Sequence, residues 1–256
     1  MVWQRLSMME DTMMDAYCER IGPGLFAEPL NAVSNVSFLI AAWAAWILAT
    51  RTGTLATGVK VLIAFAASVG VGSILWHTLA NAWTLILDIV PIVIFLIWYI
   101  WLYTRTVIGL RSRFAGAAVA AFLLATFLVI PYAGVLHGAL VYTPGLLVAL
   151  VLGGFHARER RVARFTLLAA AGVYFAALFF RTIDQEVCPV LPIGTHFIWH
   201  TLDWPGYVPG NADLDPEPRL GRRFPRQRLE EAINGTRLVL PCGQNGTFAD
   251  WHAQRR

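Results

Sequence analysis

Charge is what this chain has least of. Asp, Glu, Lys and Arg together make up 14% of its 256 residues, where a water-soluble domain carries roughly a quarter. Hydrophobic residues reach 57% and the mean hydropathy is +0.58. That balance excludes a soluble globular domain and points to a polytopic membrane protein. A cleavable signal peptide is also missing. The first thirty residues have no basic start or apolar middle and carry Glu10, Asp11, Asp15, Glu19 and Glu28 instead, so the first apolar segment must itself direct insertion. The net charge of +4 would suit nucleic acid, but the basic residues lack interleaved aromatics and no nucleic-acid partner is expected.

Long apolar runs fill the space that charge leaves. A helix needs about 20 apolar residues to cross the hydrocarbon core, and six segments qualify: 31–50, 61–80, 85–104, 114–131, 139–155 and 165–182. A seventh, 192–204, would reach only roughly 20 Å as a helix, short of the ~30 Å core. The expected fold is therefore an all-α polytopic membrane helix bundle with seven spans, the seventh truncated. Three regions follow: an extracytoplasmic amino-terminal segment 1–30, the bundle 31–204, and an Arg- and Pro-rich tail 205–256. The composition changes abruptly after Thr201. A shifted reading frame or a terminal half-helix with a disordered tail would each account for that change.

Basic residues are absent from the loops after the second and fourth spans. They gather after the first, third and fifth, at Arg51 and Lys60, at Arg105, Arg111 and Arg113, and at Arg158, Arg160, Arg161 and Arg164. The positive-inside rule then places the amino terminus outside and the carboxyl terminus in the cytosol. Cysteine is scarce as well, at three. Cys18 and Cys188 share the outer, oxidising face, which permits either a disulfide or two free thiols; Cys242 in the tail has no assigned role.

The six histidines are few enough for their spacing to matter. His196 and His200 lie four apart and so share a helical face, and His77 closes the second span one turn after Ser73. Three neutral imidazoles leave one position of a tetrahedral zinc open, an arrangement that activates water. Asp88 near the start of the third span is costly in lipid and calls for a partner, although a helix cap in water is the alternative. His137, His156 and His252 read as packing or surface residues. Asn31, Ser34, Asn35 and Ser37 in the first span are expected to bond across helices or to join the amino-terminal segment to the bundle, and to position rather than react. Arg181 and Asp184 are expected to pair at the outer end of the sixth span, and tryptophans such as Trp76, Trp83, Trp98, Trp101, Trp199 and Trp204 to mark interfaces.

Several separated blocks resemble the alkaline ceramidase family. They are Tyr-Cys-Glu at 17–19, Ala-Glu-Pro-Leu-Asn-Ala-Val-Ser-Asn at 27–35, Gly-Ser-Ile-Leu-Trp-His-Thr at 72–78, Asp88, and Phe-Arg-Thr-Ile-Asp at 180–184 followed by Cys188 and the His196/His200 pair. That family comprises seven-span membrane amidases within a wider group of integral-membrane hydrolases that includes the adiponectin receptors, and the resemblance covers about residues 15–202. As a bacterial member, the chain would sit in the inner membrane. The resemblance implies zinc ligands at His77, His196 and His200, catalytic roles for Ser73 and Asp88, and a Cys18–Cys188 disulfide. It also implies a calcium site near the amino terminus at Glu19 and Glu28, to which Asp15 and Asn31 can add oxygens. Against this stands Ile21, where a polar ligand is expected, and a solvated acidic amino terminus is the alternative.

The chemistry expected of that set is amide hydrolysis. Zinc would activate water, Asp88 would act as general base and then acid, and Ser73 would donate to the oxyanion or merely bond back to a carbonyl of its own helix. The substrate would be a membrane lipid with an N-acyl linkage, ceramide or a relative. A receptor-like metal-binding protein without turnover is a second reading. A transporter with a His/Asp proton relay is a third, and it lacks the broken helices in matching halves that such a role favours.

Overall fold

The computed structural model describes residues 16–22, 24–159 and 163–203. Expectations for Asp15, His252, Cys242, Trp204, Arg160, Arg161 and the tail 205–256 lie outside the described residues. The described chain is all helix and loop. It runs α1 Pro29–Ser34, α2 Val36–Arg51, α3 Thr57–Leu79, α4 Ala82–Tyr103, a π-helical turn Thr104–Ile108, α5 Ser112–Val129, two 3-10 segments ending at Tyr142, α6 Thr143–Arg158, α7 Thr166–Val187 and α8 His196–Asp203. Six helical segments are long and apolar enough to cross a membrane, the first being α1 with α2 and the fifth the second 3-10 segment with α6.

Apolar side chains cover the outside of these helices, with Trp43 66% and Phe127 69% exposed, as expected where lipid is the solvent. Inside, small residues let backbones approach. Ala41, Ala42, Ala45 and Ala49 of α2 are buried in one cluster with Leu62, Ile63, Ala66 and Val69 of α3. A Cβ at Gly70 would lie 3.0 Å from the Phe38 Cβ and 3.3 Å from the Asn35 carbonyl. The tightest approach is at Gly72, where a Cβ would sit 2.0 Å from the Leu87 carbonyl oxygen. That glycine brings α3 and α4 together at the depth of Ser73 and Asp88.

Helix ends carry the local logic of the fold. Asn81 and Thr84 start α4 with a capping box, Asn81 Oδ1 accepting from the Thr84 N–H at 3.0 Å, which fixes the register of Asp88 one turn further on. Helix α3 ends at Ala80, a left-handed residue (φ 47°), so His77 occupies its last turn. The sixth span extends past the expected end at 182 to Val187, because Asp184 finds backbone donors inside the fold rather than in a loop. The seventh segment starts at His196 rather than 192. The delay has a cause: Gly194 holds φ +63°, and a Cβ there would strike the Asp184 Oδ1 at 2.1 Å and the Cys18 Cβ at 2.7 Å.

Candidate metal centre

His77 from the last turn of α3 meets His196 and His200 from successive turns of α8. The three are buried, 1%, 1% and 2% exposed, and one ligand nitrogen from each lies within 4.8 Å of the others. Ring centroids are 5.2 Å apart for His77 and His196, 4.8 Å for His77 and His200, and 4.5 Å for His196 and His200. Among the described residues this is the group of His, Cys, Asp and Glu side chains arranged to hold a metal ion.

The outer nitrogens of two of these rings are already committed. The His77 Nδ1 donates to the Glu28 carboxylate at 2.5 Å, a partner that can only accept, so Nε2 keeps its lone pair for a metal. The Ser34 hydroxyl donates to the Asn31 carbonyl at 2.8 Å and is therefore left to accept from the His200 Nδ1, also at 2.8 Å. His200 thus likewise presents Nε2. Asn35 lies 3.2 Å from the same Nδ1, and the Ser37 hydroxyl donates to the His200 carbonyl at 3.0 Å. Of the polar residues of the first span, Ser34 and Ser37 bond across to His200, the Asn35 Nδ2 donates to the Asn31 carbonyl at 2.7 Å, and Asn31 joins the amino-terminal segment to the bundle through Glu19 and Glu28. The His196 ring stacks on Tyr17 at 3.8 Å.

The acidic residues of the amino-terminal segment are differently employed. The Glu19 carboxylate accepts the Leu30 and Asn31 N–H groups at 2.7 and 2.8 Å, capping α1 from ten residues upstream, where the cap-position residue Glu28 makes no capping bond. Glu28 pairs with the buried Arg20 and accepts from Asn31 Nδ2 at 3.0 Å, while Arg20 also donates to the His77 carbonyl at 3.1 Å. Burial pushes both carboxyls above the ordinary carboxylate range, and the N–H donors around them pull the other way. Calcium needs six to eight oxygens turned toward one point. Here the oxygens of Glu19 and Glu28 face N–H donors and a guanidinium and Ile21 is exposed, while of the expected calcium ligands Asn31 keeps a buried Oδ1 without a partner and Asp15 lies outside the described residues.

Ser73 and Asp88 are both buried, and Asn81 rather than Asp88 caps α4, so the capping role considered for Asp88 gives way to a place in the interior beside Ser73. They line a small cavity of about 10 Å³ together with Tyr17, Arg181, His196, His200 and Asp203, enough for about one water. Ile92, Tyr142, Trp199 and Asp203 also belong to the wall of a larger cavity of about 110 Å³, otherwise lined by apolar residues such as Phe95, Leu96, Leu152 and Leu167.

A disulfide joins Cys18 to Cys188, their Cα atoms 5.3 Å apart. Beside it, Asp184 is a hub that sequence reasoning missed. Its carboxylate accepts from the Cys18 N–H at 3.1 Å and from the Thr195 and His196 N–H groups at 2.6 and 2.9 Å, holding the start of α8 and the amino-terminal segment at one point. The expected Arg181–Asp184 pair does not form, because Asp184 is saturated by backbone donors. Arg181 turns into the cavity instead. Trp76 and Trp199 are buried rather than interfacial, Trp76 donating to the Tyr17 hydroxyl at 3.4 Å. His156 is a packing residue bonded to Tyr103 at 2.9 Å, and the exposed His137 lies 2.9 Å from the Thr182 carbonyl. Arg20 and Tyr17 were also missed. The one available signal was a lone arginine in an otherwise acidic stretch.

Compared with known proteins, the chain matches no protein-family model and no curated sequence.

Proposed function

We propose that this multi-pass membrane protein is a zinc-dependent amidase that hydrolyses the N-acyl bond of ceramide or a related lipid to a fatty acid and an amine. The observation that carries the reading is that His196 and His200, two of three imidazoles able to share a metal, line one small buried cavity together with Ser73 and Asp88. His77, His196 and His200 would hold the zinc, which would supply a Lewis acid and lower the pKa of water.

The chain's own residues supply the rest. Asp88 takes a proton from the attacking water and returns it to the amide nitrogen as the C–N bond breaks, so the water oxygen ends in the carboxylate and the leaving group departs as an amine. Ser73 donates to the acyl oxygen as charge develops there. Glu28 and Ser34 orient His77 and His200. The larger apolar cavity receives the acyl chain, and the site opens on the extracytoplasmic side, with the amino terminus outside.

The test uses the full-length protein in lipid nanodiscs, with bound metal measured and fluorescent N-acyl lipids supplied, beside Asp88→Asn and His200→Ala. The expected result is zinc in the parent and in Asp88→Asn, its loss in His200→Ala, and hydrolysis by the parent alone. A parent that holds zinc without cleaving any N-acyl lipid would replace this reading with a non-catalytic receptor. A parent that binds no metal would remove both.

A further inference from the structure

Arg181 has the wrong company for a structural arginine. It projects from α7 into the small cavity beside Ser73, Asp88 and His200. No carboxylate comes within salt-bridge distance of it among the described residues. Its Nε is buried without a hydrogen-bond partner, and its remaining polar contacts are long, 3.4 Å to the Tyr17 hydroxyl and 3.4 Å to the His196 Nδ1. An imidazole that gives Nε2 to a metal keeps its proton on Nδ1, and then the second contact offers the guanidinium no acceptor. Aromatic rings hold the group in place, with the guanidinium carbon 4.8 Å from the Tyr142 centroid and 5.7 Å from those of Tyr17 and Trp199.

Asp88 and Asp203 share the cavity wall with Arg181, Asp88 acting on it across the cavity, but neither touches it, and a guanidinium with no carboxylate in contact inside a membrane protein is expensive because charge in a low-dielectric surrounding must be compensated. The fork geometry of arginine matches a carboxylate through two parallel N–H donors. Tyr142 and Trp199, which pack against Arg181, are also walls of the apolar cavity. A charged head held at Arg181 would therefore have its hydrocarbon tail directed into that cavity.

We propose that Arg181 is a carboxylate-binding residue that holds the head group of a long-chain fatty acid, whose tail lies in the adjoining apolar cavity. The inference rests on the amidase reading in that such an acid is the product released there, and it implies product inhibition by fatty acids that an uncharged analogue does not reproduce.

Binding decides it without turnover. Laurate and dodecanol, equal in chain length, are titrated against metal-stripped and zinc-loaded protein in nanodiscs by calorimetry, for the parent, Arg181→Lys and Arg181→Gln. A charge-assisted hydrogen bond to a buried partner predicts laurate binding about tenfold or more weaker in Arg181→Gln, partial retention in Arg181→Lys, and dodecanol affinity unchanged by either. Melting curves confirm that the variants fold. Laurate and dodecanol binding alike, or Arg181→Gln binding laurate as the parent does, overturns the assignment. The two readings fail separately: Arg181-dependent laurate binding by a protein that cleaves no N-acyl lipid leaves this site standing and removes the amidase, and the reverse result removes only this site.

Discussion

Replacing Gly72 by alanine puts a single methyl between α3 and α4 at their closest point. The new Cβ would lie 2.0 Å from the Leu87 carbonyl oxygen and 2.6 Å from its carbon, more than 1 Å inside ordinary contact. The obstacle is backbone, not a side chain that can rotate away, so the helices themselves must separate by about an ångström. Overpacking of this kind destabilises by about 1–3 kcal/mol. Ser73 is the next residue and Asp88 follows Leu87, so the displacement falls on the spacing between these two side chains, and a misplacement of that size lowers turnover ~100-fold. Gly172→Ala in α7 is the matched control. A Cβ there meets nothing within 4 Å, so the same change in helix propensity should stabilise by about 0.5–1 kcal/mol. Thermal melting in nanodiscs with hydrolysis of a fluorescent N-acyl lipid measures both variants. If Gly72→Ala melts with Gly172→Ala and keeps its turnover, the close approach of α3 and α4 does not hold the site.

Four further outcomes are expected. Asp88→Asn should keep its bound zinc while turnover falls between about 10²- and 10⁴-fold, measured by metal analysis and lipid hydrolysis on one sample. Glu28→Gln removes the charged acceptor of the His77 Nδ1 proton and should weaken zinc binding about 10- to 100-fold in a chelator competition, with a smaller change in melting temperature. Cys188→Ser opens a link spanning 170 residues; helices that persist in lipid keep the unfolded chain compact, so the loss should be near about 2 kcal/mol, read by melting under non-reducing conditions. Because Arg20 already neutralises Glu28, millimolar calcium should leave the melting curve unchanged, and a clear stabilising shift would contradict the assignment of Glu19 and Glu28 to internal partners.

The sequence by itself determined the solvent and the number of long spans. Scarce charge and six apolar runs point to lipid, where a helix satisfies its own backbone polar groups, and the six helical segments lie where those runs do to within several residues. The spacing of His196 and His200 was legible for a similarly local reason, since four residues bring side chains to one helical face. Periodicity gives a residue its face but not its neighbour across space. It did not show that Glu28 would orient His77 beside Arg20, or that Asp184 would cap α8 and leave Arg181 turned into the cavity. Those pairings were decided by tertiary structure, because hydrogen bonds and charge compensation depend on distances of a few ångströms between segments far apart in the chain. Here those distances are set by how closely glycines such as Gly72 and Gly194 let the backbone approach.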